Sequence, residues 1–301
     1  MAIITSALIT GLNTGFKAEF QKSLAAATSE YLKIASVVPS TTKGNTYGWL
    51  GQFPRFREWV GDRVVKDMAA SGYSITNKEY ESTVGVKRTD IEDDNLGIYS
   101  PIFQEMGRAA GVYPDELVFP LLAAGVSTAC YDGQYFFDTD HPVYPNVDGT
   151  GTAVSTSNFT TGAAAAWYLL DTSRALKPII FQERQKPEFQ TLTSTEDEQV
   201  FTKNLYRYGV YARSNVGFGF WQMAHCSKAA LDSDSFNAAY LAMQSLTADG
   251  GRPLGITPTL LVVPPALRAA ALDLITAERL ANGASNTNFK AVELLVTPWV
   301  A

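Results

Sequence analysis

The sequence predicts an α+β fold, and three patterns carry that prediction. Apolar residues recur at spacings of three and four over residues 12–34 and again over 102–124, as on one face of a helix. Between these runs the chain is rich in aromatic and β-branched residues broken by glycine and proline, which suits extended backbone. From about residue 235 onward it reads helix, strand, helix, strand, a compact α+β unit.

Taken in order, the first helix carries Leu12, Phe16, Phe20, Leu24, Ala27, Tyr31 and Ile34 on one face, and Pro39 ends it. Residues 40–45 are a polar, turn-rich connector. Gly48, Gly51, Pro54 and Gly61 exclude a helix over the next stretch. On the return, Tyr80, Ser82, Val84 and Val86 alternate with Glu79, Glu81, Thr83 and Lys87, as in a strand with two unlike faces. Gly72 is placed to mark the tip of this two-stranded excursion, which has too little apolar surface to be stable alone and must lean on a neighbour. Ser100 and Pro101 read as the N-cap and first position of a long helix that Pro114 and Pro120 should bend or divide and Gly125 should close. Strand-like segments follow an irregular stretch, at 167–170, 177–183, 187–193 and 200–225. The tail then offers a helix from Ser235 to Leu246, the strand TLLVVPP, a helix over 265–280 and a last strand over 291–300.

With 301 residues, 46% of them hydrophobic and 18% charged, the chain is one large domain or two ordinary ones with material for a substantial core. No run approaches the ~20 apolar residues of a membrane span. The N-terminal string MAIITSALITGL has no basic flank or cleavage site and is not expected to be a secretory signal. A net charge of -6 disfavours a dedicated nucleic-acid binder. Cys130 and Cys226 form neither a disulfide framework nor a metal cluster by their spacing, which suits folding in a cytosol.

The most enzyme-like string is FFDTDHPV, residues 136–143. Its Asp-x-Asp after an apolar run is similar to the nucleophile strand of haloacid-dehalogenase phosphatases, and Asp138, Asp140 and His141 together could ligate a hard metal ion. The competing reading, and the favoured one, is a turn in which the two carboxylates cap backbone amides before Pro142. Glu92, Asp93 and Asp94 precede a helix and fit capping better than an ion cluster. NVGFGFWQ holds only two glycines of a dinucleotide fingerprint, His225 beside Cys226 lacks further ligands, and Asn158-Phe159-Thr160 matches a glycosylation acceptor without a sign of secretion. Finally, Trp49, Phe53, Arg55, Arg57, Trp59 and Arg63 interleave rings and bases. That mixture can grip single-stranded nucleic acid, but with Glu58 and Asp62 among them and an acidic chain it points to contacts between protein subunits. No catalytic, cofactor or metal site is expected.

The strings TGFKAEF, VPSTT, YGWLGQFPRFREWVGDR, YSITNKEYESTVGVKRTDIEDD, CYDGQYFFDTDHPV, WYLLDTSRALKPIIFQER, YGVYARSNVGFGFWQ, GRPLGITPTLLVVPP and the terminal PWV stand in this order along nearly the whole chain. In them the protein resembles the Mu-like phage major head subunits, the Mu head protein T family. The resemblance implies the Hong Kong 97-type capsid fold: an N-terminal arm (1–40), an extended loop (41–78), a peripheral domain (79–228) with a spine helix over about 101–124, and an axial domain (229–301). It implies a major capsid protein of a tailed bacteriophage, not an enzyme, with a phosphatase-like hydrolase using Asp138 and Asp140 as the alternative. Its copies would form hexamers and pentamers of an icosahedral head, assembled in the host bacterial cytoplasm around double-stranded DNA bound without sequence specificity. Portal, scaffold or protease and decoration proteins would be further partners, with no membrane and no cofactor. Negative charge suits such a container, since a basic wall would hold phosphates and hinder packing. One feature departs from the fold's usual order: the string over 200–222 precedes the C-terminal α+β unit. A circularly permuted order would pair 200–212 with the strand around Val84–Arg88 and leave 291–300 in the axial domain.

Overall fold

The computed structural model describes residues 6–50, 72–92, 96–194, 196–280 and 282–301. From the N-terminus, α1 (Ser6–Ala26) and the one-turn α2 (Tyr31–Ile34) lead into β1 (Ala35–Pro39) and β2 (Gly44–Thr46). β3 (Ser74–Thr76), β4 (Lys78–Lys87), α3 (Arg88–Glu92) and α4 (Leu96–Ala123) follow. Next come the short β5 (His141–Val143), β6 (Val154–Thr156) and β7 (Phe159–Thr160), then β8 (Trp167–Leu170), β9 (Ile179–Leu192), α5 (Glu198–Lys203) and β10 (Leu205–Phe218). β11 (Ala224–Ser227), α6 (Ser233–Gln244), β12 (Thr247–Ala248), β13 (Arg252–Pro253), β14 (Leu260–Val263), α7 (Arg268–Ile275) and β15 (Glu293–Val296) complete the order.

A four-stranded sheet, β1-β9-β10-β4, is built on the long antiparallel pair β9 and β10. Along β10, Tyr206, Tyr208, Val210, Ala212 and Ser214 are buried and their neighbours are not, the period of two that a one-sided sheet imposes. β10 pairs antiparallel with β4 from Leu205 opposite Lys87 to Ser214 opposite Lys78. This is the pairing that the permuted order requires. Residues 200–203, however, belong to α5, which Asn204 ends in a left-handed conformation (φ 52°). β9 is one strand where two were expected. Pro187 sits in it beside a register shift, past the reach of β1, so its missing N–H breaks no ladder bond on that side.

α1 and α4 cover this sheet. Phe16 stacks on Phe103 with ring centroids 4.2 Å apart, and Phe103 meets Tyr208 edge-on at 5.0 Å. The helices approach closely because α4 offers Gly107 and Gly111: a Cβ on Gly107 would lie 2.3 Å from the Phe20 carbonyl oxygen, and one on Gly111 2.3 Å from Ala27 Cβ. The single helix expected over 12–34 is divided. The Asp115 carboxylate on α4 accepts hydrogen bonds from the backbone N–H of Glu30 (3.0 Å) and Tyr31 (2.7 Å), starting α2 on a new axis.

α4 also corrects the expectation. It begins at Leu96, so Ser100 is not its N-cap, and it runs unbroken through Pro101, Pro114 and Pro120. Each internal proline costs ~3 kcal/mol in an isolated helix; here the burial of Phe103, Met106, Val118, Phe119 and Leu122 on the same helix offsets that cost. Ile98–Val126 is in fact long and apolar enough to cross a membrane by length and composition, contrary to the sequence reading. Its end passes into a 3-10 turn, Ala124–Val126, where Gly125 admits the Phe137 ring and does not serve as a left-handed cap.

The second large sheet runs β15-β14-β8-β11-β7. WYLL in β8, AHCS in β11 and LLVV in β14 are buried at every position, the continuous run of a strand covered on both faces. α6 and α7 contribute Phe236, Ala239, Met243, Ala271 and Ile275 to the same core. The boundary expected at 228/229 therefore cuts this sheet: β7, β8 and β11 lie before it, because β14 needs β8 as its antiparallel neighbour. Within the tail, Asp232 rather than Ser235 caps α6, its carboxylate accepting from Ser235 N–H at 2.8 Å, and α7 ends at Ile275, short of residue 280.

Candidate functional site

Among the residues expected at subunit contacts, Phe53, Arg55, Arg57, Trp59 and Arg63 lie outside the described residues. Trp49 is described. Half-buried, its ring meets Tyr47 at 5.9 Å and Phe220 at 6.2 Å, both in its own chain. The structure thus places Trp49 at the root of the excursion, packed inward.

That root is tightly held. β2 and β3 pair antiparallel, Gly44 opposite Thr76 and Thr46 opposite Ser74. Beneath them the fully buried Gln182 of β9 accepts a hydrogen bond from the Tyr47 hydroxyl (2.7 Å) and donates to Ile75 O (3.0 Å) and Asn77 Oδ1 (2.8 Å). Asn77 in turn donates to Ser40 Oγ and Thr42 O, both at 2.9 Å. The Tyr73 hydroxyl accepts from Phe218 N–H at 2.7 Å, and burial pushes its pKa up to about 12. Unpaired polar groups here would cost ~1–3 kcal/mol each, so the satisfied network fixes the direction in which both strands leave the sheet. The sequence reading missed these residues. Their signal was faint: a glutamine in the apolar run IIFQ and an asparagine between two strand segments.

The enzyme-like string does not assemble a catalytic pair. Asp138 accepts from Tyr135 N–H (3.2 Å) and Thr139 N–H (2.7 Å), the favoured capping role. Asp140 is exposed, and its pKa is raised chiefly by a hydrogen bond with Asp138. His141 pairs instead with Asp132. Fully buried, it stacks on Trp221 at 4.0 Å and puts Nδ1 2.7 Å from Asp132 Oδ2, so the ligand set Asp138, Asp140 and His141 does not converge.

The remaining motifs are also structural. Asn158 is buried, donating to Phe136 O (2.8 Å) and accepting from Asp138 N–H (2.9 Å), so it is no glycosylation acceptor in the folded chain. His225 and Cys226 are adjacent in β11, where successive side chains point to opposite faces. His225 Nε2 lies 2.9 Å from Thr160 Oγ1, and burial pushes its pKa down to about 4. Gly217 and Gly219 serve close approaches to Ile75 and to the Lys177 carbonyl rather than a phosphate loop. Asp93 and Asp94 lie outside the described residues, and Glu92 closes α3.

Comparison with known proteins bears on the whole chain. The profile of a family described as Mu-like prophage major head subunit gpT matches residues 9–300. The major capsid protein of Escherichia phage Mu is 53% identical over 284 residues, 93% of each chain. The procapsid of bacteriophage JBD30 contains a chain similar at TM-score 0.88 and 63% identity, over 98% of this chain and all of that one. The JBD30 capsid decorated with minor capsid protein trimers gives TM-score 0.77 and 48% identity over the whole of both chains.

Proposed function

From the premise that the chain belongs to the family of Mu-like prophage major head subunits, we propose how its parts build a phage head. The protein is a major capsid protein with the Hong Kong 97-type fold, a structural component of the virion head that associates with copies of itself. The four-stranded sheet with α1 and α4 is the peripheral part, α4 being the spine helix. The five-stranded sheet with α6 and α7 is the axial part, extended backward to include β7, β8 and β11.

The observation that carries the reading of contacts is the root of the excursion between β2 and β3. Gln182, Asn77 and Tyr73 hold β2 and β3, the two ends of the excursion, to the four-stranded sheet, which supports its use as a contact arm. There Phe53, Arg55, Arg57, Trp59 and Arg63 cross a neighbouring copy, with Trp49 as the inner anchor. Rings and arginines concentrate binding energy, and closure into hexamers and pentamers multiplies many modest contacts. DNA is enclosed without sequence readout; scaffold or protease, portal and decorating trimers are the further partners of this scheme.

Electron microscopy of the purified chain, alone and with a co-expressed scaffold, tests the reading. Rings or shells are expected from the intact chain, and none when Phe53, Arg55, Trp59 and Arg63 are changed together to alanine with unchanged circular dichroism. Shells of normal yield from that variant would refute the loop contact.

A further inference from the structure

The segment between α4 and the second sheet gathers three donor groups of different chemistry. Cys130 Sγ lies 3.0 Å from Asp132 Oδ1, and Asp132 Oδ2 lies 2.7 Å from His141 Nδ1. One donor atom from each residue can be chosen so that all lie within 4.8 Å of one another. His141 is fully buried and Cys130 is 6% exposed, while the half-buried Asp132 gives the group its opening to solvent. His141 Nε2 has no hydrogen-bond partner, which leaves one polar atom of a buried ring unused.

We propose that Cys130, Asp132 and His141 form a site for a divalent ion of the zinc class, with water in the remaining position. Thiolate, imidazole and carboxylate are the donors zinc takes, at ~2.0–2.3 Å, whereas magnesium or calcium would call for oxygen alone. The backbone already shapes the loop for this. Cys130 N–H donates to Gln134 O at 2.8 Å, Gln134 N–H donates to Asp132 Oδ1 at 3.1 Å, and Gly133 turns with φ 90°. The Trp221 face holds the imidazole plane, an interplanar angle of 10°. Without the ion, burial and the Asp132 carboxylate push the Cys130 thiol up, so it keeps its proton. On binding, the sulfur–metal bond replaces the S–H bond and that proton goes to solvent, while the ion takes the place of the hydrogen bonds that now join the three groups. The ion would staple residues 130–141 into one unit beneath Trp221, fixing how the spine helix hands over to the second sheet.

Cobalt(II) is the probe. The subunit, stripped with a chelator, is titrated with cobalt(II) and then zinc(II). One equivalent should give the thiolate charge-transfer band and the visible bands of tetrahedral coordination, and zinc should displace it. Cys130→Ser should lose the charge-transfer band and Cys226→Ser should keep it. His141→Gln should weaken zinc binding on the order of tenfold or more. Should Cys130→Ser fail to fold, zinc competition against a chromophoric chelator on the intact chain decides by itself: one tight equivalent supports the site. No tight equivalent, no thiolate band in the wild type, or a band that survives Cys130→Ser would overturn it.

Discussion

Replacing Gly107 by alanine puts a methyl group between two helices that have no room for it. The new Cβ would stand 2.3 Å from the Phe20 carbonyl oxygen, 3.0 Å from Ser23 Cβ and 3.1 Å from Leu24 N. Two of these are backbone atoms of α1 and cannot swing aside, so α1 must retreat by about 1 Å, a gap that forfeits a quarter to a half of each dispersion contact across it. The stack of Phe16 on Phe103 and the contact of Phe20 with Phe189 at 5.3 Å open with it. Overpacking of this kind costs ~1–3 kcal/mol, and alanine's better helix propensity returns up to ~1 kcal/mol. The same change at Gly15, within α1, meets nothing within 4 Å. Gly15→Ala should therefore stabilise by ~0.5–1 kcal/mol while Gly107→Ala, its full propensity gain deducted, destabilises by up to about 2 kcal/mol. Urea denaturation of the unassembled subunit, followed by circular dichroism, reads both. Equal shifts of the same sign at the two sites would refute the close approach of α1 and α4.

The buried His225, with its folded pKa near 4, binds fewer protons than the unfolded chain between about pH 6.5 and 4. Its contribution to stability is thus full above about pH 6.5 and is lost as pH falls toward 4, by at most ~3 kcal/mol; His225→Gln should flatten melting temperature over that window, and an unchanged slope would show that another group is responsible. Asp138→Asn should cost ~0.5–2 kcal/mol through its turn bonds and Asp140→Asn close to nothing, with no hydrolytic activity lost; a magnesium-dependent phosphatase rate abolished in both would restore the hydrolase reading. Replacing residues 52–71 by a short Gly-Ser linker should leave cooperative unfolding intact and abolish shells in electron micrographs, whereas the wider cut over 48–74 should also destabilise the subunit, because it removes the buried Leu50 and the Tyr73 hydroxyl that accepts from Phe218.

What the sequence disclosed and what it hid divide by distance along the chain. Spacing found α1, because Phe16 and Phe20 are one turn apart and both turn inward. Alternation found β4, whose Tyr80, Val84 and Val86 face the core side. The end of α1 was hidden because the group that starts α2 is the Asp115 carboxylate, 85 residues from Glu30. The start of α4 was misread for the opposite reason: Ser100-Pro101 is a strong local signal, and the helix, anchored by the buried Phe103 and Met106, runs through it. In the second sheet, WYLL and LLVV carry no polar positions to mark a face or a partner, so the domain boundary could not be read. Around the acidic string, the turn role of Asp138 was legible from Asp-x-Asp before proline. The destination of His141 was not, since Asp132 and Cys130 looked like ordinary loop residues until the fold brought them together.

The way the two large sheets are joined says where a subunit of this kind can change shape. β10 ends at Phe218, and β11 of the other sheet begins at Ala224, after the short turn Trp221–Met223. Phe181, Phe218, Trp221, Trp167 and Leu261 belong to one buried cluster that draws on both sheets. Rotating one sheet against the other would expose several of these side chains, at ~1.5–3 kcal/mol for each large apolar group. The two sheets therefore move as a unit. The cluster that binds α1, centred on Phe16, Phe20, Phe103 and Tyr208, is separate and smaller. The root of the loop, by contrast, is held by hydrogen bonds through Gln182 and Asn77 and by Tyr47, Leu50 and Ile75, which belong to the larger cluster. A shell that seats identical chains at several angles needs compliance, and segments with few buried apolar contacts open at the least free energy. By that measure adjustment falls to α1, held by the smaller cluster, while the joined sheets keep the geometry that every copy shares.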